Sequence, residues 1–318
     1  MVLQWLHYIN LKKSKNYNSV DYLEMQKCQY YLVSSFFTII GIDMRTKASF
    51  CLLVLAFLLL MPSCTSKDEF IIRTHDKGWA LLQKEQVIGA HRGLIGYPEN
   101  TYESISAAID AGFKVVEIDL CITKDSIFVI HHDAKINHCS DGTGYVRDYT
   151  LEQLQSYNFG DYIGWSGIKI QTLDFILELC KKNDVCIELD MSNDNIIDDK
   201  YVSDIYAIVK KNDMLQNVLF CGNRNKMDIL TKIDRNVNIE PALWEKKELD
   251  DVVYLRNKAN IMYVSIPYSQ IDTAFCDKAH NNGIKVETWT AKNNDEIRNA
   301  FSIGADYVLS EVLTPKID

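Results

Sequence analysis

Proline and glycine are scarce, at 5 and 14 in 318 residues. That excludes collagen-like repeats and long flexible linkers, which need these residues in quantity. Positive charge is also short. The 34 Lys and Arg face 43 Asp and Glu, for a formal net charge of −9. A general nucleic-acid-binding surface is excluded on that balance, because phosphate backbones are held by clustered cations. No apolar stretch reaches the about 20 residues that a bilayer-spanning helix needs. The longest, residues 50–61, has 12, so a polytopic membrane protein is excluded. No CxxC pair and no GxGxxG fingerprint occur. Their absence removes the usual cysteine-zinc spacing and counts against a dinucleotide-binding sheet. What remains, 47% hydrophobic and 24% charged, is the composition of a folded globular chain.

The first 63 residues read as lying outside the working protein. From Met44 the chain runs MRTKASFCLLVLAFLLLMPSC. Arg45 and Lys47 give a positive start, and the apolar run that follows has the length of a secretory signal core. Small residues followed directly by Cys64 resemble a bacterial lipoprotein signal, in which that cysteine is lipidated and becomes the new N-terminus. The alternative is an ordinary secretory signal with an incidental cysteine. The expected organisation is a mis-assigned extension at 1–43, a signal peptide at 44–63, a tether and lead-in segment at 64–84, and one domain at 85–318. The expected location is outside the cytoplasm, anchored by lipid to a bacterial membrane, with the outer membrane and its periplasmic or surface face as the assignment. Export permits disulfides, yet Cys121, Cys186 and Cys221 sit in apolar runs, where cysteine behaves as a small buried hydrophobe. No disulfide framework is expected.

Beyond residue 85, short apolar runs alternate with amphipathic segments. Strands are predicted at 87–90, 115–122, 127–130, 185–189, 218–221, 237–239, 261–266, 285–288 and 307–309. Helices are predicted at 102–111, 151–156, 173–182, 202–211, 226–233, 247–257, 271–281 and 295–302. Nearly continuous apolar strands suit a parallel sheet covered on both faces. The alternation and the domain length predict a single-domain α/β fold, a (β/α)8 TIM barrel, with a doubly wound sheet as the alternative. Nine strands compete for eight places. The run at 127–130 follows its predecessor too closely for a helical crossover, so a hairpin outside the barrel is expected there.

Chemistry-bearing residues cluster where these strands end. His91-Arg92-Gly93 follows the first, with Glu99-Asn100-Thr101 close behind. Glu117 and Asp119 end the second, His131-His132-Asp133 closes the third, and Glu188 and Asp190 end the fourth. In a β/α barrel the strand C-termini form the mouth of the active site. Residues two apart on a strand share a face, so each Glu-x-Asp pair puts two carboxylates side by side. Crowded acids of this kind need a cation, and hard oxygen ligands select Ca2+ or Mg2+ rather than zinc. A histidine with an ordinary pKa near 6.5 can act as acid or base near neutrality.

Together, HRG with PENT, E-x-D, TKD followed by HHD, a second E-x-D, and Thr288-Trp289-Thr290 resemble the glycerophosphodiester phosphodiesterase family, over residues 87 to about 315. The resemblance implies a metal-dependent barrel enzyme that hydrolyses glycerophosphodiesters to glycerol 3-phosphate and an alcohol. It implies a cyclic phosphate formed by the glycerol's own neighbouring hydroxyl and then opened by water. It implies Glu117, Asp119 and Glu188 as metal ligands, His91 and His132 as general base and acid, Arg92 as a phosphate clamp and Trp289 as an aromatic wall. Glu99 would hold Arg92 or touch the metal, and Asp133 would orient His132 or cap its loop. The family's E-x-K is here Glu188-x-Asp190, an anion in place of a cation: Asp190 would add a metal ligand or mark a different substrate, and Asp190→Lys is expected to tighten binding of a simple glycerophosphodiester. Ser310-Glu311 stands where Thr-Asp is common. The expected partners are a small glycerophosphodiester and a membrane, with no nucleic acid and no protein. Competing readings are a related phospholipase or phosphodiesterase acting on intact lipids or a surface polymer, with residues 160–167 as a candidate lid, and an inert binding lipoprotein.

Overall fold

A computed structural model describes residues 78–82, 85–192, 199–256 and 258–317. The extension at 1–43, the signal at 44–63, Cys64 and most of the tether lie outside the described residues. The strands are β1 (Val87–Ala90), β2 (Val115–Ile122), β3 (Phe128–Ile130), β4 (Cys186–Asp190), β5 (Val218–Gly222), β6 (Ile239–Pro241), β7 (Tyr263–Pro267), β8 (Lys285–Ala291) and β9 (Tyr307–Ser310). The helices are α1 (Trp79–Leu82), α2 (Tyr102–Asp110), α3 (Leu151–Leu154), α4 (Leu173–Lys182), α5 (Asp199–Lys211), α6 (Arg224–Ile233), α7 (Leu249–Leu255), α8 (Thr273–Asn281) and α9 (Asn294–Ile303). Helix starts follow their caps: Thr101, Thr172, Asn223, Asp272 and Asn293 each accept a hydrogen bond from the third residue onward, satisfying an otherwise unpaired N–H.

Eight strands run parallel in the order β6-β5-β4-β2-β1-β9-β8-β7. β6 and β7 then meet through parallel bridges, Ile239 with Ile261 and Ala242 with Ser265. The sheet is thereby a nearly closed (β/α)8 barrel, and the doubly wound alternative is excluded. β3 is the extra strand. It pairs antiparallel with β2, Leu120 opposite Ile130 and Ile122 opposite Phe128. Ile127, predicted within this strand, instead lies in the tight turn, where Thr123 N donates to its carbonyl at 3.0 Å.

The alternation of side chains in β2 builds the site. Val116, Ile118, Leu120 and Ile122 join the apolar layer beneath the helices, with Ile105 and Ile176. Burying such a side chain contributes roughly 1.5–3 kcal/mol, so register is strongly specified. Val115, on the opposite face, joins the barrel floor with Trp79, Tyr263 and Tyr307. Glu117 and Asp119 follow Val115 on that same inner face at period two. Trp79 lies in the segment read as lead-in, yet it is fully buried. Its indole Nε1 donates to Ile187 O at 3.3 Å, and its ring meets Tyr263 and Tyr307 edge-on at 5.7 and 5.5 Å.

Several boundaries differ from expectation. β6 lies two residues later than predicted because its inward position is Glu240, which interrupts the apolar run. β8 continues past Thr288 through a register shift to Ala291, carrying Trp289 with it. α7 starts at Leu249, after a 3-10 turn at Lys246–Glu248. The six cysteines from Cys121 to Cys276 are buried, and Cys121 Sγ donates to His131 O at 3.2 Å.

Candidate active site

The mouth of the barrel holds a cavity of about 780 Å³, whose walls include His91, Arg92, Glu117, Asp119, His132 and Trp289. It is assembled from the ends of different strands, so residues distant in sequence become neighbours.

The loop after β1 is held in an unusual conformation. Arg92 has φ of 58°, in the left-handed region that costs a side chain energy. The gain is a convergence of contacts. Arg92 N donates to Glu117 Oε2 at 2.9 Å, Nη1 donates to Glu99 Oε1 at 3.2 Å, and Nε lies 3.3 Å from Asp119 Oδ2. Burial works against the guanidinium charge, but Asp119, Glu99 and Glu117 outweigh it and raise its pKa. Gly93 follows with φ of 87°, and a Cβ there would lie 2.4 Å from Ser104 Oγ. Only glycine lets α2 approach this closely.

Asn100, in the PEN segment, does more than lead into the helix capped by Thr101. Its Nδ2 donates to Asp119 Oδ2 at 2.7 Å, and its Oδ1 accepts from Asp119 N at 3.1 Å. Asn100 therefore grips both ends of Asp119. Sequence reasoning placed it in the cluster after β1 without a role of its own; its place beside Glu99 in the PENT signature was the available signal.

The two acid pairs lie in register across adjacent strands, Glu117 opposite Glu188 and Asp119 opposite Asp190. Oxygens of Glu117, Asp119 and Asp190 all lie within 4.8 Å of one another. Burial, then Asp119, Glu188 and Asp190, push the Glu117 carboxyl well above its usual range, opposed by Arg92. Burial and Asp119 likewise raise Asp190, against Ser192 and Lys226. Glu188 is pushed up to about 8, chiefly by burial, and its Oε2 has no hydrogen-bonding partner. These acids resist joint ionisation as they stand, and a divalent cation among them would relieve that. The donor set is hard oxygen, which fits Ca2+ or Mg2+. Glu188 lines the same cavity, and Asp190 joins Glu117 and Asp119 in the grouping, in the place of an added ligand.

Lys226, at the start of α6, is buried at 5% exposure. Its ammonium hydrogen-bonds the Met191 carbonyl and acts electrostatically on Asp190. A cation thus stands beside the strand end where the second E-x-D departs from E-x-K.

Both predicted histidines face the cavity, each beside a carboxylate. His91 Nδ1 lies 3.3 Å from Glu311 Oε1, and that oxygen also accepts from Lys292 Nζ at 2.8 Å. His91 and Lys292 together hold the Glu311 carboxyl down at about 2. His132 Nδ1 lies 2.7 Å from Asp133 Oδ1. His131 points the other way. It is buried, its Nε2 lies 3.2 Å from Lys135 O, and burial lowers its pKa.

Trp289 meets Trp244 perpendicularly at 5.2 Å. Trp244, 62% exposed, also lines the cavity and was missed, because a lone tryptophan in a loop carries no periodic signal. The candidate lid at 160–167 packs down instead. Tyr162 OH accepts from Glu99 N at 2.8 Å, Trp165 rests on Tyr97 at 5.1 Å, and neither lines the cavity.

A parallel barrel whose strand ends bring acids, an arginine and two histidines into one cavity has the groups of a β/α-barrel enzyme working on an anionic substrate by acid–base chemistry. Residues 91–312 match the model of the glycerophosphoryl diester phosphodiesterase family, and the chain belongs to that family. The chain is 26% identical over 228 residues to YhdW of Bacillus subtilis, covering 70% of this chain and 93% of that protein. It is 22% identical over 226 residues to the glycerophosphodiester phosphodiesterase of Caldanaerobacter subterraneus, covering 70% and 92%. Among solved structures, it resembles an Oleispira antarctica phosphodiesterase in complex with its product sn-glycerol-3-phosphate, with a TM-score of 0.64 at 22% identity, covering 71% of this chain and 92% of that one.

Proposed function

We propose that the protein is a metal-dependent glycerophosphodiester phosphodiesterase that releases sn-glycerol 3-phosphate and an alcohol, with His91 and His132 as the acid–base pair. The observation that carries this reading is the convergence of both histidines on the cavity that holds Arg92 and the Glu117–Asp119 pair. Glu117, Asp119 and Glu188 would hold the cation, Ca2+ or Mg2+, with Asp190 beside them. Bound there, the cation supplies positive charge to offset the phosphate's own. Arg92 adds a fixed cation to the same wall, and its contacts with Glu99 and Asp119 keep it oriented. One histidine takes the proton of the attacking hydroxyl while the other gives a proton to the leaving alkoxide. Where the substrate's neighbouring hydroxyl attacks first, water opens the cyclic phosphate with the two roles exchanged. Trp289 forms an apolar wall for the glycerol.

The test is an assay of purified protein on a panel of glycerophosphodiesters with Ca2+, Mg2+ or EDTA, beside His91→Ala. Glycerol 3-phosphate release that needs the metal and is lost in the variant is the expected result. No turnover with either cation would sink the reading and move the search to intact lipids and surface polymers.

We also propose lipid attachment at Cys64 after cleavage of residues 44–63, and hence a bacterial membrane-surface location. The support is the sequence pattern alone. Fatty-acid labelling that persists in Cys64→Ser would refute it.

A further inference from the structure

Deeper on the barrel axis lies a second set of acids that the proposed chemistry does not use. Glu240, the inward residue of β6, and Glu287, the inward residue of β8, are both 0% exposed. Among the described residues both Glu240 carboxylate oxygens lack a hydrogen-bonding partner, and Glu287 has the Ser265 hydroxyl and the Leu309 backbone N–H close to it. Buried polar atoms are nearly always paired, so the unpartnered Glu240 carboxylate, with the Glu287 carboxylate acting on it, calls for an occupant. Three consecutive strands point donors at this place. Glu188 on β4, Cys221 on β5 and Glu240 on β6 each offer one atom, and these atoms lie within 4.8 Å of one another. Cys221 and Glu240 are register partners. Glu188 Oε2 is unpartnered as well. Glu188, Cys221 and the neighbouring Ser265 also line the cavity, so an ion entering by the mouth can reach them.

We propose that Glu188, Cys221 and Glu240, with the Glu287 carboxylate close by, form a second divalent-cation site on the barrel axis. It shares Glu188 with the mouth and is otherwise separate from Glu117 and Asp119. The donor set differs in kind from the mouth. A thiolate among carboxylates suits a borderline cation such as Zn2+, Mn2+ or Fe2+ better than Ca2+ or Mg2+. Binding would release the thiol proton and any carboxyl protons to solvent. The ion would tie β4, β5 and β6 together beneath the reacting centre, a structural role. The site goes beyond the phosphodiesterase reading and does not need it.

The rival occupant is a proton on each acid, which leaves the interior neutral without any metal. Two readouts on the full chain separate the cases, and neither is activity. The first is bound metal per chain after chelator stripping, reloading with Zn2+ and dialysis, measured by inductively coupled plasma mass spectrometry. Expected are retention of one Zn2+ in Asp119→Asn, whose mouth is impaired, and loss of that ion when Glu240→Gln is added to it. The second is the near-ultraviolet spectrum of the unsubstituted protein loaded with Co2+. A thiolate-to-cobalt band is expected, and Cys221→Ser should remove it. Because the spectrum is read on the native chain, a variant that fails to fold leaves the test intact. Absence of the band, or no ion retained in Asp119→Asn of native circular dichroism, would overturn the proposal. Failure of the phosphodiesterase assay would change neither readout.

Discussion

Glu311, just past the end of β9, holds His91, just past the end of β1, with Oε1 3.3 Å from Nδ1 across 220 residues of sequence. β1 and β9 are parallel neighbours, Ala90 opposite Ser310, so the residue after each strand arrives at the same height. The glutamate side chain is long enough to reach the ring from that position.

A carboxylate hydrogen-bonded to one ring nitrogen fixes the orientation of an imidazole. Removing that carboxylate in Glu311→Gln should loosen the hold on the His91 ring. A kcat loss of about tenfold is expected, smaller than the about 10²–10⁴ of removing an acid or base outright. An unchanged kcat would show that Glu311 serves only Lys292.

His132 and Asp133 make a second such pair, but from adjacent residues in an exposed loop. His132→Ala should cost about 10²–10⁴ in kcat. Asp133→Asn should cost much less, because the loop backbone still places the ring. Equal losses would make Asp133 a full partner in proton transfer.

Asp190→Lys turns an acid of the cavity wall into a base and should lower KM for a simple glycerophosphodiester. Lys226→Met is the companion test. It leaves the Met191 carbonyl and Asp190 without their buried cation, so stability should fall by about 1–3 kcal/mol, read as a lower Tm. A raised KM in Asp190→Lys would show that the carboxylate itself serves the substrate or its metal.

Glu188 gives a pH dependence whose sign can be worked out. Its pKa is raised from 4.5 to about 8, so the metal-free native state keeps a proton that the unfolded chain releases near the lower value. The stability from this group is full below about pH 4.5 and is lost as pH rises through about 8. With EDTA, Tm should therefore fall between about pH 5 and 9. Added Mg2+ or Ca2+ should raise Tm most at the alkaline end, since ligands bind deprotonated. Thermal scans across that range decide it; a metal-free Tm that climbs with pH would contradict the burial of this acid.

Much of the fold was legible because parallel strands buried on both faces are nearly continuous apolar runs. β1, β2 and the hairpin position of β3 were read from such runs and from spacing. The boundaries that shifted did so where a polar residue points inward. Glu240 in β6 broke the run it belongs to, and Glu287 in β8 passed unremarked among apolar neighbours. Asn100 was named in the cluster after β1 with no partner assigned; its grip on Asp119 exists only once β2 lies alongside.

The sequence by itself determined the β/α alternation, the clustering of His91, Arg92, Glu117, Asp119, His132, Glu188 and Asp190 at strand ends, and their chemical type. Those follow from period-two and period-3.6 patterns and from what carboxylate, imidazole and guanidinium can do. Tertiary structure alone decided which of them meet. Register put Asp190 opposite Asp119, turned His131 into the core and His132 to the cavity, and brought Lys226 and Glu311 to partners far along the chain. It also stacked Glu188, Cys221, Glu240 and Glu287 inside the barrel. The reason is that a strand pattern specifies which face a side chain takes, whereas its neighbours on that face are specified by ring order and stagger, which arise only when the sheet curls toward closure.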